Sequence, residues 1–361
     1  MTDVIVVGGG TIGLAVAWRC AQRGLTTSLF DPEPRSGASI VAPGMLAPVT
    51  EVHYGEEELL RLNVLSAEHY PAFVAELEEV SGISCGYEQQ GTLFVARDAD
   101  DLAEITDVFA FQKELGLRVE RLTANECRKL EPGLSPRVRG GAFAPADHRV
   151  DPVALTNALL VACERAGVKL IDERVGRIEP KGIVTETASH GADVVVLAAG
   201  AHSAEIAVPA GVDVPVRPVK GQVVALSGPA PPTHANVRGL DAYIVPRGDG
   251  RVAVGATMEE RGFDSNITAA AVMELLRAAY ELIPEVAEFR FDGAQVGFRP
   301  GTPDNGPLIG RSAVPGLLIA TGHFRNGVLL TPVTADAIAS MAAGEEPSGL
   351  DAFSPRRFER S

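Results

Sequence analysis

Val4-Ile5-Val6-Val7-Gly8-Gly9-Gly10-Thr11-Ile12-Gly13 opens the chain, and Asp31 closes the unit it begins. The short β-branched run suits a strand buried on both faces. Leu14 to Arg23 reads as a helix whose Ala15, Ala17, Cys20 and Ala21 keep its packing surface small, and Gly24 ends it. Thr26 to Phe30 is a second strand, with Asp31 at its carboxyl end. Strand, glycine turn, helix, strand and acid in this order form the setting in which a G-x-G-x-x-G pattern binds a dinucleotide. Gly8 permits the tight turn, Gly10 lets the backbone approach a pyrophosphate, and Gly13 lets the helix lie close on the strand. The helix N-terminus, opened by Thr11 and Ile12, then points at the phosphates. Asp31 accepts hydrogen bonds from an adenosine ribose. On these residues alone the dinucleotide is NAD or FAD, and the single fingerprint implies that one is bound.

The chain around this unit has 361 residues, enough for about two domains. Hydrophobic residues at 46 % and charged residues at 22 % describe a globular protein rather than a disordered one. A net charge of −15 with no basic cluster argues against nucleic-acid or anionic-membrane binding. Glycines interrupt the first apolar run far short of the ~20 residues a membrane span needs. Cys20, Cys85, Cys127 and Cys163 contain no C-x-x-C pair, so neither a disulfide framework nor a zinc site is expected, and the compartment is read as reducing and cytoplasmic. The seven histidines show no ligand spacing, so no metal is expected, and no G-x-S-x-G elbow supports hydrolysis.

Further along, Glu56 to Val80 and Asp98 to Leu115 look helical, with a strand at Leu93 to Ala96 between them. Asp151-Pro152 starts a helix through Ala166, followed by strands at Val168 to Ile171 and Val194 to Gly200 that return to the first sheet. Half-polar strands at Gln222 to Leu226, Ala242 to Val245 and Arg251 to Ala256, with a helix from Ala269 to Leu282, suggest a mixed or antiparallel sheet. Leu317 to Ala320 is a buried strand, Thr321 to Leu330 holds turn residues, and Pro332 to Ala343 is a helix. The expected fold is α/β: a doubly wound, Rossmann-like dinucleotide domain from residues 1–84, 146–215 and 300–361, interrupted by a mixed or antiparallel-sheet substrate domain from 85–145 and 216–299.

Several later blocks complete the pattern: Ser36 to Ser39 through Ala42 to Leu46, Val150 to Pro152, Val194 to Gly200, and Val219-Lys220-Gly221-Gln222. Tyr243 to Arg247, Gly255 to Met258, Gly297 to Pro300 and Gly322 to Gly327 follow. With these the chain resembles, over nearly its whole length, the glycine oxidases of thiamine biosynthesis, within the flavin-dependent amine and D-amino acid oxidase superfamily. The resemblance implies FAD, bound non-covalently. It assigns the adenosine ribose to Asp31, the adenine edge to backbone near Val175, and the flavin ring to backbone around Ala42, Gly44 and Met45, with Ser39 and Arg299 also counted in the cofactor site. Ala199 and Gly200 belong to the same cofactor site. The turn Arg325, Asn326, Gly327, Val328 and Leu329 then lies against the pyrimidine end of the flavin.

For the substrate, the resemblance gives the carboxylate to Arg299, which Pro300 holds extended and whose planar fork matches a carboxylate. Tyr243 adds a hydroxyl, Arg325 a second basic group, and Met258 and Met45 an apolar lining. Asp241 stands where some glycine oxidases carry histidine. The implied reaction is oxidation of glycine to an imine, then glyoxylate and ammonia, with dioxygen reduced to hydrogen peroxide. A sarcosine or D-amino acid oxidase or dehydrogenase is the near alternative, and a non-catalytic nucleotide-binding module is the alternative of another class. The family further implies a homotetramer and hand-off of the imine to thiazole synthase.

Overall fold

Strand Thr2–Val7 places alternate residues in two different cores, as a strand buried on both faces must. Val4 and Val6 pack with Leu14, Val16 and Trp18 of helix Thr11–Gln22, and with residues of helices Glu57–Ser81, Pro152–Arg165 and Thr331–Ala342. Ile5 and Val7 point the other way, onto Val175, Ile178, Ile183 and Val214. Each fully buried aliphatic side chain of this kind stabilises the fold by about 1.5–3 kcal/mol relative to exposure. The structure is a computed structural model and describes residues 2–358. Met1 and residues 359–361, which the expected dinucleotide domain includes, lie outside the described residues.

The first sheet runs in the spatial order 308–311, 317–321, 189–197, 2–7, 27–30, 169–171. Thr2–Val7 is parallel to both Thr27–Phe30 and Ser189–Leu197, and Leu317–Thr321 extends the parallel set. The return of residues 150–205 to the opening sheet is therefore observed. One difference concerns the faces. Helices cover one of them, while the hairpin Val175–Glu179 and Gly182–Thr185, with the apolar segment 206–216, covers the other. Asp151 caps helix Pro152–Arg165 by accepting from the amides of Val153 at 3.0 Å and Ala154 at 3.2 Å. Its second oxygen takes Arg251 Nη2 at 2.8 Å, so the cap also ties this helix to the second sheet.

That second sheet has the order 290–301, 217–227, 251–255, 243–246, 236–238, 92–96, 140–144, 120–123. All neighbours are antiparallel except 236–238 against 92–96, so the sheet is mixed. Helix Ala269–Leu282 packs Leu275, Ala278, Ala279 and Leu282 against Val224, Leu226, Val252 and Val254 of its strands. Among the described residues no helix is long and apolar enough to cross a membrane.

Candidate active site

A cavity of about 860 Å³ is walled by residues of both sheets. Gly8, Gly10, Thr11 and Ile12 supply one part of the wall. Gly8 has φ of +110°, which its lack of a side chain permits. Gly13 is off the wall; a Cβ there would collide with the Gly8 carbonyl, so its part is the close packing of helix on strand. Asp31 accepts from the Gly9 amide at 2.5 Å and the Glu33 amide at 2.8 Å, which fixes the carboxylate beside the turn with lone pairs left over.

The question is whether these residues fit a dinucleotide. Helix Thr11–Gln22 starts at Gly10 with no side chain capping it, and Ser39 Oγ takes only the Thr11 amide, at 3.3 Å. Thr11 Oγ1 is buried without a hydrogen-bond partner. A Cβ on Gly10 would stand in open space, with Ser39 Oγ the nearest heavy atom at 3.8 Å. An open helix N-terminus, an orphaned hydroxyl and a bare approach path are what a pyrophosphate uses. The residues fit. Val175, Ala199 and Gly200 border the same cavity, as does Val41-Ala42-Pro43-Gly44-Met45.

The segment 42–46 is pinned from below. Met45–Leu46 pairs with His148–Arg149, Val150 N donates to Gly44 O at 2.9 Å, and the buried Arg247 donates from Nη2 to Pro43 O at 2.5 Å. Elsewhere on the wall, the turn after Phe324–Asn326 is held by its carbonyls. Gly327 O accepts from Thr331 Oγ1 at 2.9 Å, Val328 O from Tyr70 Oη at 3.2 Å and Leu329 O from Ser66 Oγ at 2.6 Å. In a trans peptide the N–H points opposite the C=O of the preceding residue, so the amide of Leu329 turns away from helix Glu57–Ser81, which holds Val328 O, and the amide of Val328 turns away from Thr331, which holds Gly327 O. Gly327 and Val328 lie on the cavity wall, whereas Asn326 and Leu329 do not. His323, also on the wall, shares a hydrogen bond between Nε2 and Thr334 Oγ1 at 3.0 Å, and burial pushes its pKa down to about 3.

The second sheet contributes Tyr243 and Arg299 to the wall. Arg299 donates from Nη1 to Thr257 O at 3.0 Å, and among the described residues no carboxylate pairs with it. Burial raises the Tyr243 phenol above its ordinary pKa while the neighbouring guanidinium of Arg299 acts in the opposite sense. Arg325 also faces the cavity, but its Nη2 is spent on Glu56 Oε2 at 2.7 Å, both side chains being 14 % exposed. Its charge is matched, and Arg299 remains the guanidinium free to take a carboxylate in this part of the wall.

Two expectations need correction. Met258 does not line the cavity and is 59 % exposed. It follows strand Arg251–Gly255, where Thr257 takes the inward position: Thr257 Oγ1 accepts from Gln222 N at 2.9 Å and its carbonyl holds Arg299, so the next side chain points outward. Asp241 is likewise off the wall, exposed and bound to Arg97 Nη2 at 2.6 Å, so it does not shape the pocket.

Glu51 is a wall residue that the sequence did not reveal. Its segment is anchored by the fully buried Asp147, which accepts from Val49 N at 2.8 Å, Thr50 N at 2.9 Å and Thr50 Oγ1 at 2.5 Å. Arg238 donates to Thr50 O at 2.8 Å and lies 3.6 Å from the Glu51 carboxylate. No signal short of these tertiary contacts separates Glu51 from any loop glutamate. Among the described residues no group of His, Cys, Asp and Glu is arranged to hold a metal.

Residues 3–341 match the family described as FAD dependent oxidoreductase, DAO. The chain is 34 % identical over 373 residues to the bifunctional protein ThiO/ThiG of Synechocystis sp., covering 99 % of this chain and 54 % of that protein. It thus spans about half the length of the bifunctional relatives it matches. It is 33 % identical over 353 residues to the glycine oxidase of Geobacillus kaustophilus, covering 95 % of this chain and 93 % of that one. The crystal structure of glycine oxidase from Geobacillus kaustophilus superposes with a TM-score of 0.93 at 32 % identity, covering 98 % of both chains.

Proposed function

The chain belongs to the FAD dependent oxidoreductase family, and from that membership we propose that it is a glycine oxidase. The observation that carries this reading is Arg299, a guanidinium that pairs with no carboxylate among the described residues, on the wall of the cavity that fits the dinucleotide. An α-amino acid brings the missing carboxylate. Arg299 binds it through two charge-assisted hydrogen bonds, and the Tyr243 hydroxyl adds a third contact. Glu51, on the same wall and 3.6 Å from Arg238, offers a carboxylate oxygen to accept a hydrogen bond from the amino group.

FAD bound in this cavity supplies a two-electron acceptor for the hydride of the substrate α-carbon. The chain's own contribution is to orient that carbon and to exclude water, so no obligatory general base is required. Val328 and Leu329 turn their amide dipoles away from Thr331 and Tyr70, which hold the preceding carbonyls, an orientation suited to negative charge on a reduced cofactor. Overall, glycine, dioxygen and water give glyoxylate, ammonia and hydrogen peroxide, the imine being the first product. We assign the cofactor to residues 1–84, 146–215 and 300–361 and the substrate to 85–145 and 216–299. The relatives' ThiO/ThiG names support a further assignment, delivery of the imine to thiazole synthase. The same reading places a homotetramer in the cytoplasm, in keeping with four free, buried cysteines.

A hydrogen peroxide assay of the purified holoenzyme against glycine, sarcosine and D-alanine tests the activity. Turnover is expected with glycine. Preference for sarcosine or D-alanine redirects the substrate, and no peroxide together with no bleaching of the flavin under anaerobic glycine rejects the oxidase.

A further inference from the structure

In the second sheet the four strands nearest the cavity stand in the order 290–301, 217–227, 251–255, 243–246. Arg299 and Tyr243 are on the two outer strands of this group, and Gly221 and Gly255 are on the two inner ones. Val219 is opposite Arg299, which makes Gly221, two residues on, the diagonal neighbour on the same face. A Cβ built on Gly221 would lie 2.8 Å from both Cζ and Nη2 of Arg299. Gly255 is directly opposite Tyr243, and a Cβ there would lie 2.6 Å from Cε2, 2.7 Å from Cζ and 2.8 Å from the phenolic oxygen. Each polar side chain therefore lies flat across a bare Cα of the adjacent inner strand. The two lean toward each other over a strip of sheet that carries no side chain at those points.

We propose that Gly221 and Gly255 are positioning residues: their missing side chains set how close to the sheet Arg299 and Tyr243 lie, and so where the substrate carboxylate is held. This rests on the reading of Arg299 and Tyr243 as carboxylate anchors. In both cases the atoms a methyl group would meet are the far end of a side chain rather than backbone. An alanine is therefore accommodated by swinging the anchor, with the sheet intact. The guanidinium would retreat by more than half an ångström to reach ordinary contact at 3.4 Å, and displacements of that order matter where a small substrate must be aligned. Glycine has no side chain through which other contacts make up the difference.

The test is a double-mutant cycle on the holoenzyme with Gly221→Ala and Arg299→Ala, alone and together. FAD content, the KM and kcat for glycine, and the dissociation constant of acetate read from the flavin spectrum are measured for each. Gly221→Ala should keep its FAD and raise both KM and the acetate constant by about ten- to a hundredfold, the loss of one charge-assisted hydrogen bond. In the Arg299→Ala background the same change should do nothing further, because a residue that acts only through Arg299 has nothing left to act on. The Gly255→Ala and Tyr243→Ala pair should behave alike. Additive effects in either cycle, an inert Gly221→Ala, or glycine variants that lose fold or FAD would overturn the proposal. If Arg299→Ala weakens glycine and acetate while Gly221→Ala does not, the carboxylate reading stands and this inference alone falls. If Arg299→Ala changes neither, both fall.

Discussion

Arg299 faces the cavity with the Thr257 carbonyl and the Tyr243 phenol beside it and, among the described residues, no carboxylate, while Arg325 and Arg238 on the surrounding elements are matched by Glu56 and Glu51. Replacing it by alanine should therefore leave FAD in place and raise KM for glycine severely, each charge-assisted hydrogen bond being worth about 1.5–3 kcal/mol. Turnover should fall as well, as the α-carbon loses alignment. Arg299→Lys should recover part of the loss, since one ammonium cannot reproduce the planar fork. Steady-state kinetics with near wild-type kcat/KM for the alanine variant would remove Arg299 from the site. Gly10 makes the complementary case. Its missing side chain borders open space, so Gly10→Val should fold like the apoprotein, with an unchanged far-UV spectrum, yet fail to retain FAD. Stoichiometric FAD in that variant would show that the pyrophosphate lies elsewhere. Both residues are visible in the sequence because their chemistry is tied to a spacing or a block. Glu51 is not, because its place on the wall depends on Asp147, far along the chain, gripping the backbone of Val49 and Thr50.

At the level of elements, two buried titratable groups hold segments of the wall, and they respond to pH in opposite senses. Burial lowers His323 from 6.5 to about 3. The unfolded chain takes up this proton below about pH 6.5 while the native chain refuses it, so the stability His323 contributes is full above 6.5 and is lost as pH falls toward 3. Burial raises Asp147 from 3.8 to about 6, against the hydrogen bonds from Thr50 and Val49. Here the native chain keeps a proton the unfolded chain has released, so the contribution is full below 3.8 and is lost as pH rises through 6. Each group changes stability by at most about 1.4 kcal/mol per pH unit inside its window. Urea midpoints at pH 6.5 and 4.5 should therefore fall less for His323→Gln than for the wild type, and more for Asp147→Asn. Identical pH slopes in all three proteins would show that neither group is perturbed as the burial implies. The elements themselves were legible where burial makes a pattern. Val4 to Val7, Val194 to Leu197 and Leu317 to Ala320 are apolar runs because they lie in the interior of the first sheet, covered on both faces, and helix Ala269–Leu282 shows its amphipathic face. Strands Glu120–Thr123 and Gly140–Ala144 carry no such mark. The first is largely exposed, the second begins with two glycines, and their pairing with each other and with Thr92–Ala96 is what makes them strands.

On the scale of the whole molecule, one cavity is shared by two sheets that the chain builds in alternation, and among the described residues no free cysteine or histidine stands on its wall as a covalent partner for a flavin. Cys20, Cys85, Cys127 and Cys163 are buried and off the wall, and burial pushes the thiols of Cys20, Cys85 and Cys163 up to about 12, so thiolate chemistry is suppressed. The histidines that reach the wall are both engaged, His202 with Glu205 at 2.6 Å and His323 with Thr334. Acid precipitation of the yellow holoenzyme should accordingly release all of its flavin as FAD and leave a colourless pellet, and a pellet that keeps its colour would reveal a bond these contacts do not anticipate. Because a ligand in this cavity touches both sheets only in the folded chain, FAD removed by dialysis should lower the melting temperature. Refilling at a free concentration of about 100 times Kd should return roughly 2.7 kcal/mol. A midpoint that FAD leaves unmoved would mean that the cofactor is not held between the two sheets.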